Sequence, residues 1–285
     1  FEQTRQFIEF YKLLNNLNQF NMKKIITLAL ISIITSNINA QFDATNMTFS
    51  DGERYIMNKW TPKNGKTSDF MKAAGKKTKL FNNSPENAIV TYQVLNGPDT
   101  GQFLRINLYA TMENFVGYNS NNSEEREYWE KNVIPLTQSN DGPTIWRRLS
   151  SRSNNWPDPN DGVIEPSKYM VVDTYTVSSE GYADHREIIG KIYTIIKEGG
   201  SSAKTSLFKV ESGGNPNTYM RVRMFDDPNE RAQWAEQERT FEQMYNQRYG
   251  YRSFEKDSQT LNESIMSWSK TSEIVMFVPS MSAGN

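Results

Sequence analysis

Between residues 54 and 278 the apolar positions follow two rhythms. Short runs repeat every second residue and predict strands, and longer ones repeat every three or four and predict helices. Arg54 to Thr61 reads as a strand rich in Tyr, Ile and Trp, and Lys66 to Phe81 as a helix. Ala88 to Leu95 and Gln102 to Ala110 read as paired strands across the turn residues Asn96, Gly97, Pro98 and Asp99. Ser123 to Ile134 reads as a second helix stopped by Pro135, and Thr144 to Leu149 as a last strand. The same order then recurs. Tyr169 to Val177 is a strand, and Tyr182 to Glu198 a helix closed by Gly199 and Gly200. Thr205 to Glu211 and Thr218 to Phe225 form a hairpin. Pro228 to Tyr249 is a long helix, Leu261 to Trp268 a short one, and Ser272 to Val278 a closing strand.

The recurrence extends to residues. Trp60 and Thr61 align with Tyr175 and Thr176, Gly75 and Lys76 with Gly190 and Lys191, Arg105 with Arg221, and Tyr109 with Phe225. An E-R-x-x-W motif occurs at Glu125, Arg126 and Trp129 and again at Glu230, Arg231 and Trp234. The chain therefore divides into a first βαββαβ unit over 41–150, a linker over 151–167 rich in Asn, Asp, Ser and Pro, and a second unit over 168–285. The predicted fold class is α+β, with tandem ferredoxin-like repeats.

A ferredoxin-like unit has one sheet face under its helices and one bare, and two units can hide their bare faces against each other. That pattern over 54–278 resembles the dimeric α+β barrel superfamily, fused in one chain. The resemblance is one of topology and matches no member's motif. It implies the fold, and it admits haem-handling enzymes, small quinone monooxygenases and proteins without known activity.

Strand alternation selects candidate site residues. In 103–109 one face carries Leu104, Ile106 and Leu108, and the other Phe103, Arg105, Asn107 and Tyr109. In 219–225 Met220, Val222 and Met224 oppose Tyr219, Arg221, Arg223 and Phe225. The aliphatic faces are expected to pack on the helices. The arginine-bearing faces are then expected to meet, joined by Asn58, Trp60, Asp173 and Tyr175 from the first strands and by Gln93 and Lys209 from the second. Arginine between rings can grip a carboxylate or phosphate and stack on a flat molecule. The predicted ligand set is Asn58, Trp60, Arg105, Asn107, Tyr109, Asp173, Tyr175, Tyr219, Arg221 and Arg223. The competing reading is structural, with Arg221, Arg223, Asp173 and Glu211 pairing within a two-sheet interface.

Composition narrows this further. Lys and Arg number 32 against 33 Asp and Glu, for a net charge of −1, so nucleic acid is not an expected partner. With no cysteine there are no disulfides or thiolate metal sites. His185 is the only histidine; it reads as a packing residue, and no metal or cofactor is predicted. Met22 to Ala40 has the basic start, short apolar run and terminal alanine of a bacterial-type signal peptide, after residues 1–21 read as spurious upstream translation. The apolar run is too short for a permanent membrane anchor. The expectation is an exported protein, periplasmic or secreted, whose mature chain starts near Gln41. Three roles stay open: binding a small flat or anionic molecule between the two sheets, a cofactor-independent monooxygenase-like enzyme, or a structural envelope protein.

Overall fold

The computed structural model describes residues 54–82, 87–109, 123–157, 166–233 and 238–283. The leader segment, the upstream residues and Trp234 lie outside them, as does the side chain of Tyr109.

The first half comprises β1 (Arg54–Pro62), α1 (Thr67–Phe81), β2 (Ile89–Val94), β3 (Phe103–Tyr109), α2 (Ser123–Asn132), β4 (Thr137–Asn140) and β5 (Thr144–Asn154). The second comprises β6 (Tyr169–Thr176), α3 (Tyr182–Glu198), β7 (Lys204–Ser212), β8 (Thr218–Phe225), α4 (Pro228–Gln233), α5 (Glu238–Tyr249), α6 (Ser253–Ser264) and β9 (Thr271–Phe277). The strand expected over 144–149 runs on to Asn154, into the expected linker, because Ser153 and Asn154 pair with Ser206 and Thr205. The last helix starts at Ser253, and Leu261 fills its buried side near the C-terminal end.

All strand pairs are antiparallel. The strand order is β3-β2-β9-β6-β8-β7-β5-β1, and β1 returns to β3, so eight strands close into a barrel with β4 appended beside the end of β1. The first half contributes β5-β1-β3-β2 and the second β9-β6-β8-β7. Two junctions, β2 with β9 and β5 with β7, join them. Among the described strands, closure leaves only the short β4 as an edge, which limits pairing with other chains.

Every barrel strand sends alternate apolar side chains inward, among them Tyr55, Val90, Leu104, Trp146, Met170, Phe208, Val222 and Val275. They nearly fill the interior, leaving about 40 Å³. An eight-stranded barrel has just this much room for side chains. One mouth is closed by Lys59, whose Nζ lies 2.5 Å from Asp99 Oδ2 and 2.6 Å from Glu273 Oε2. The helices cover the outer surface. Phe70 and Ala74 of α1 pack with Trp60 and Phe103, and Ile188, Ile189 and Ile192 of α3 pack with Val171, Tyr175 and Tyr219.

This reverses one expectation. Leu104, Ile106 and Leu108, and Met220, Val222 and Met224, face the barrel interior or its ends and not the helices. The arginine-bearing faces turn outward beneath the helices. A closed barrel excludes water, and a charge buried there without partners would cost several kcal/mol. The wholly aliphatic faces therefore go inside.

Candidate functional site

Each half keeps a gap between its helices and the outer face of the barrel. In the second half the gap lies between α3 and strands β5, β7 and β8, and encloses about 290 Å³. Its floor is Leu149, Ile189 and Leu207. Its walls carry Arg147, Arg152, Arg186 and Lys209, together with Tyr182, His185 and Tyr219. Strand alternation on β5 and β7 sets Arg147 beside Leu149 and Lys209 beside Leu207 on the outward face. The 3.6-residue period of α3 brings Tyr182, His185, Arg186 and Ile189 toward it. Among the described residues, four cations and no carboxylate line this cleft.

The rings in the cleft are ordered by contact. His185 is buried, its Nε2 3.0 Å from Tyr175 Oη, and its ring centroid stands 4.5 Å from that of Tyr219. Lys209 Nζ sits 4.8 Å from the Tyr182 ring centroid and donates to Tyr182 Oη at 3.4 Å. Burial alone would raise the Tyr182 phenol, but the hydrogen bond and charge of Lys209 outweigh it and hold the group below its usual value. Tyr219 moves upward, through burial first and then through Tyr182.

Burial, with the charges of Arg221, Lys209 and Arg152 behind it, pushes the His185 imidazole down to about 3. The unfolded chain takes up that proton near the ordinary value of 6.5. Stability is therefore whole above pH 6.5 and falls between there and pH 3, by about 1.4 kcal/mol per pH unit for this one group. His185→Phe is expected to flatten that acid slope. Urea unfolding at several pH values checks it; an unchanged slope would mean that other groups cause it.

In the first half the gap lies between α1, α2 and strands β1 and β3, with a volume of about 420 Å³. Asn58, Trp60, Arg105 and Asn107 line it from the strands, and Lys77, Glu125 and Trp129 from the helices. Lys77 and Glu125 form an ion pair, Arg105 Nη2 donates to Thr78 Oγ1 at 2.9 Å, and Arg105 lies 5.3 Å over the Trp129 ring.

No protein-family model matches the chain, and no curated protein matches it in sequence. Solved structures do match. A candidate monooxygenase from Lactobacillus acidophilus shares 9% identity over 81% of this chain and 96% of its own, with a TM-score of 0.53. A candidate monooxygenase from Fusobacterium nucleatum shares 11% over 79% and 92%, at 0.52. A candidate chlorite dismutase shares 11% over 81% and 96%, at 0.51. The chain has the dimeric α+β barrel fold. Identities this low establish the fold and carry no activity with it.

Within this α+β barrel the residues singled out from the sequence separate. Asn58, Trp60, Arg105 and Asn107 do meet, in the first cleft. Tyr219 lines the second cleft. Asp173, Tyr175, Arg221 and Arg223 are almost wholly buried on the helix-facing side of the second half and line neither cleft. The two groups lie beneath different helices, so the expected shared space between the sheets is replaced by the packed barrel interior. Glu211 pairs with Arg54 at 3.0 Å, not with Arg221 or Asp173. A histidine-held haem, which the resemblance admits, does not fit these residues: His185 Nε2 already contacts Tyr175 Oη and the imidazole is 1% exposed.

Sequence reasoning passed over Arg147, Arg152, Arg186, Tyr182 and Lys77. Arg147 and Arg152 sit on a strand read as ending at Leu149, and Arg186 and Lys77 lie on helices, whereas the candidate residues were chosen by strand alternation. The one available signal was the density of Arg between 147 and 152, three in six residues.

Proposed function

We propose that the protein binds a small, flat polyanion in the second-half cleft. The observation that carries this is that Arg147, Arg152, Arg186 and Lys209 line the cleft, with no carboxylate among its described lining residues. Guanidinium groups pair two-pronged with carboxylate or phosphate, and the Tyr182 and Tyr219 rings offer a face to a planar body. A volume of about 290 Å³ lies just below the usual range for small-molecule sites, roughly 300–1,000 Å³, and suits a ligand of one ring. The monooxygenase-like neighbours agree with a small-molecule site in this fold without specifying a substrate.

The halves are read here as copies of one βαββαβ unit, since both order their strands fourth, first, third, second. This explains why each has a cleft beneath its first helix. A superposition that failed to bring Gly75 onto Gly190 would argue against the duplication.

Trimesate, a benzene ring bearing three carboxylates, is a suitable probe. It is expected to raise the melting temperature of the full chain and to bind more weakly as salt is added. Arg186→Glu combined with Lys209→Glu is expected to weaken binding about 100-fold, since two attractions become repulsions of about 1.4 kcal/mol each. Equal affinity for the folded variant and the parent would overturn the proposal. Oxygen uptake with an added quinol, lost in the same variant, would move the reading from binder to enzyme.

A further inference from the structure

We propose that the first-half cleft is a second, separate binding site, for a small aromatic monocarboxylate. Three observations carry it. First, the space is real and different in character: about 420 Å³, walled by the indoles of Trp60 and Trp129, whose rings meet edge to face at 4.8 Å. Second, its charge is close to balanced. Lys77, Arg105 and Arg126 face Glu125 and Glu130, leaving one positive charge in excess. The second-half cleft has an excess of four. A trianion suits the latter and a monoanion the former. Third, the charged groups are arranged around a ring. Lys77 Nζ and the Arg105 guanidinium carbon lie 5.5 Å and 5.3 Å from the Trp129 ring centroid, and both side chains are buried.

The binding mode follows. A carboxylate entering between Lys77 and Arg105 shares those cations with Glu125, which is 7% exposed. Its aromatic body lies along the indole wall, while the Asn58 and Asn107 amides line the polar side. Glu125 then acts as an internal competitor. It neutralises the buried lysine when the cleft is empty, and it sets the affinity by how far it yields. Removing its charge should tighten binding, and removing the lysine should weaken it. A cleft with a merely structural ion pair would show neither effect.

The experiment titrates benzoate into the full chain by calorimetry, with melting curves to verify folding. The parent is expected to bind with a Kd of about 1 mM or tighter. Glu125→Gln is expected to tighten it about 10-fold and Lys77→Met to weaken it about 10-fold. Saturating trimesate should not displace benzoate. Absence of binding, displacement by trimesate, or unchanged affinity in both folded variants would each overturn the proposal.

Should neither variant fold, the parent alone decides. Burial, and then the charge of Arg105, lower Lys77 to about 8 against the opposing pull of Glu125. Benzoate affinity should therefore fall as pH rises from 7 to 9, and a flat profile would sink the proposal. Failure of trimesate to bind would leave this result standing, because the two ligands report on different clefts.

Discussion

Asp173→Ala is expected to cost about 3–5 kcal/mol of folding stability, measured by urea unfolding. Asp173 is 1% exposed and lies directly across the β6–β8 ladder from Arg221, itself 1% exposed. Arg223, 2% exposed, is two residues further along the same face. Around them pack Tyr175, Tyr193 and α3. Taking away the carboxylate leaves two guanidinium groups in a nearly dry layer, one of them close to Tyr193. Desolvation offsets most of any attraction between the two facing charges. The loss comes from stranding the remaining charge. Asp173→Leu combined with Arg221→Met should therefore be less destabilising than Asp173→Ala alone. A double variant no better than the sum of the single changes would show that the two side chains do not act together.

Gly75→Ala should be nearly as damaging, about 3 kcal/mol, for a steric reason. A methyl built on Gly75 would stand 2.2 Å from the backbone carbonyl oxygen of Ser280. That carbonyl belongs to a 3-10 turn over Pro279–Met281, which is tied to β2. Thr91 N donates to Ser282 Oγ at 2.9 Å, Thr91 Oγ1 to Met281 O at 3.0 Å, and Ala283 N to Ile89 O at 2.8 Å. Neither backbone can give way without breaking bonds on β2. Gly190 of α3 makes the instructive contrast. A methyl there would meet Arg152 Nη2 at 2.7 Å, the far end of a long side chain. Gly190→Ala should cost little stability but push Arg152 within the second cleft. Melting temperatures of the two variants side by side test this, and similar losses would refute the distinction.

The aligned glycines show how much was legible. The sequence aligns them as matching helix positions; that something comes close to each is seen only in the structure. What comes close differs, a backbone carbonyl in one half and a guanidinium in the other, and that depends on segments distant in sequence. The parity of Arg105 with Trp60, and of Arg221 with Asp173, was legible for a similar reason. Side chains on a strand alternate whatever the strand packs against. Arg152 and Lys77 were not legible as site residues. Each looks like an ordinary solvated cation until the bulged end of β5, or the descent of α2 onto α1, closes over it.

The order of strands and helices, and the division of each strand into two chemically distinct faces, can be read from the chain alone. These are local consequences of residue periodicity and turn chemistry. Only the tertiary structure decided which face is inside. Alternation is symmetric, so it cannot distinguish a face covered by helices from one turned toward a second sheet. Closure of eight strands broke that symmetry. A sealed interior offers a charge no water, so aliphatic and aromatic side chains fill it, and the arginines of β3 and β8 lie under the helices, Arg105 in the first cleft and Arg221 and Arg223 buried outside both.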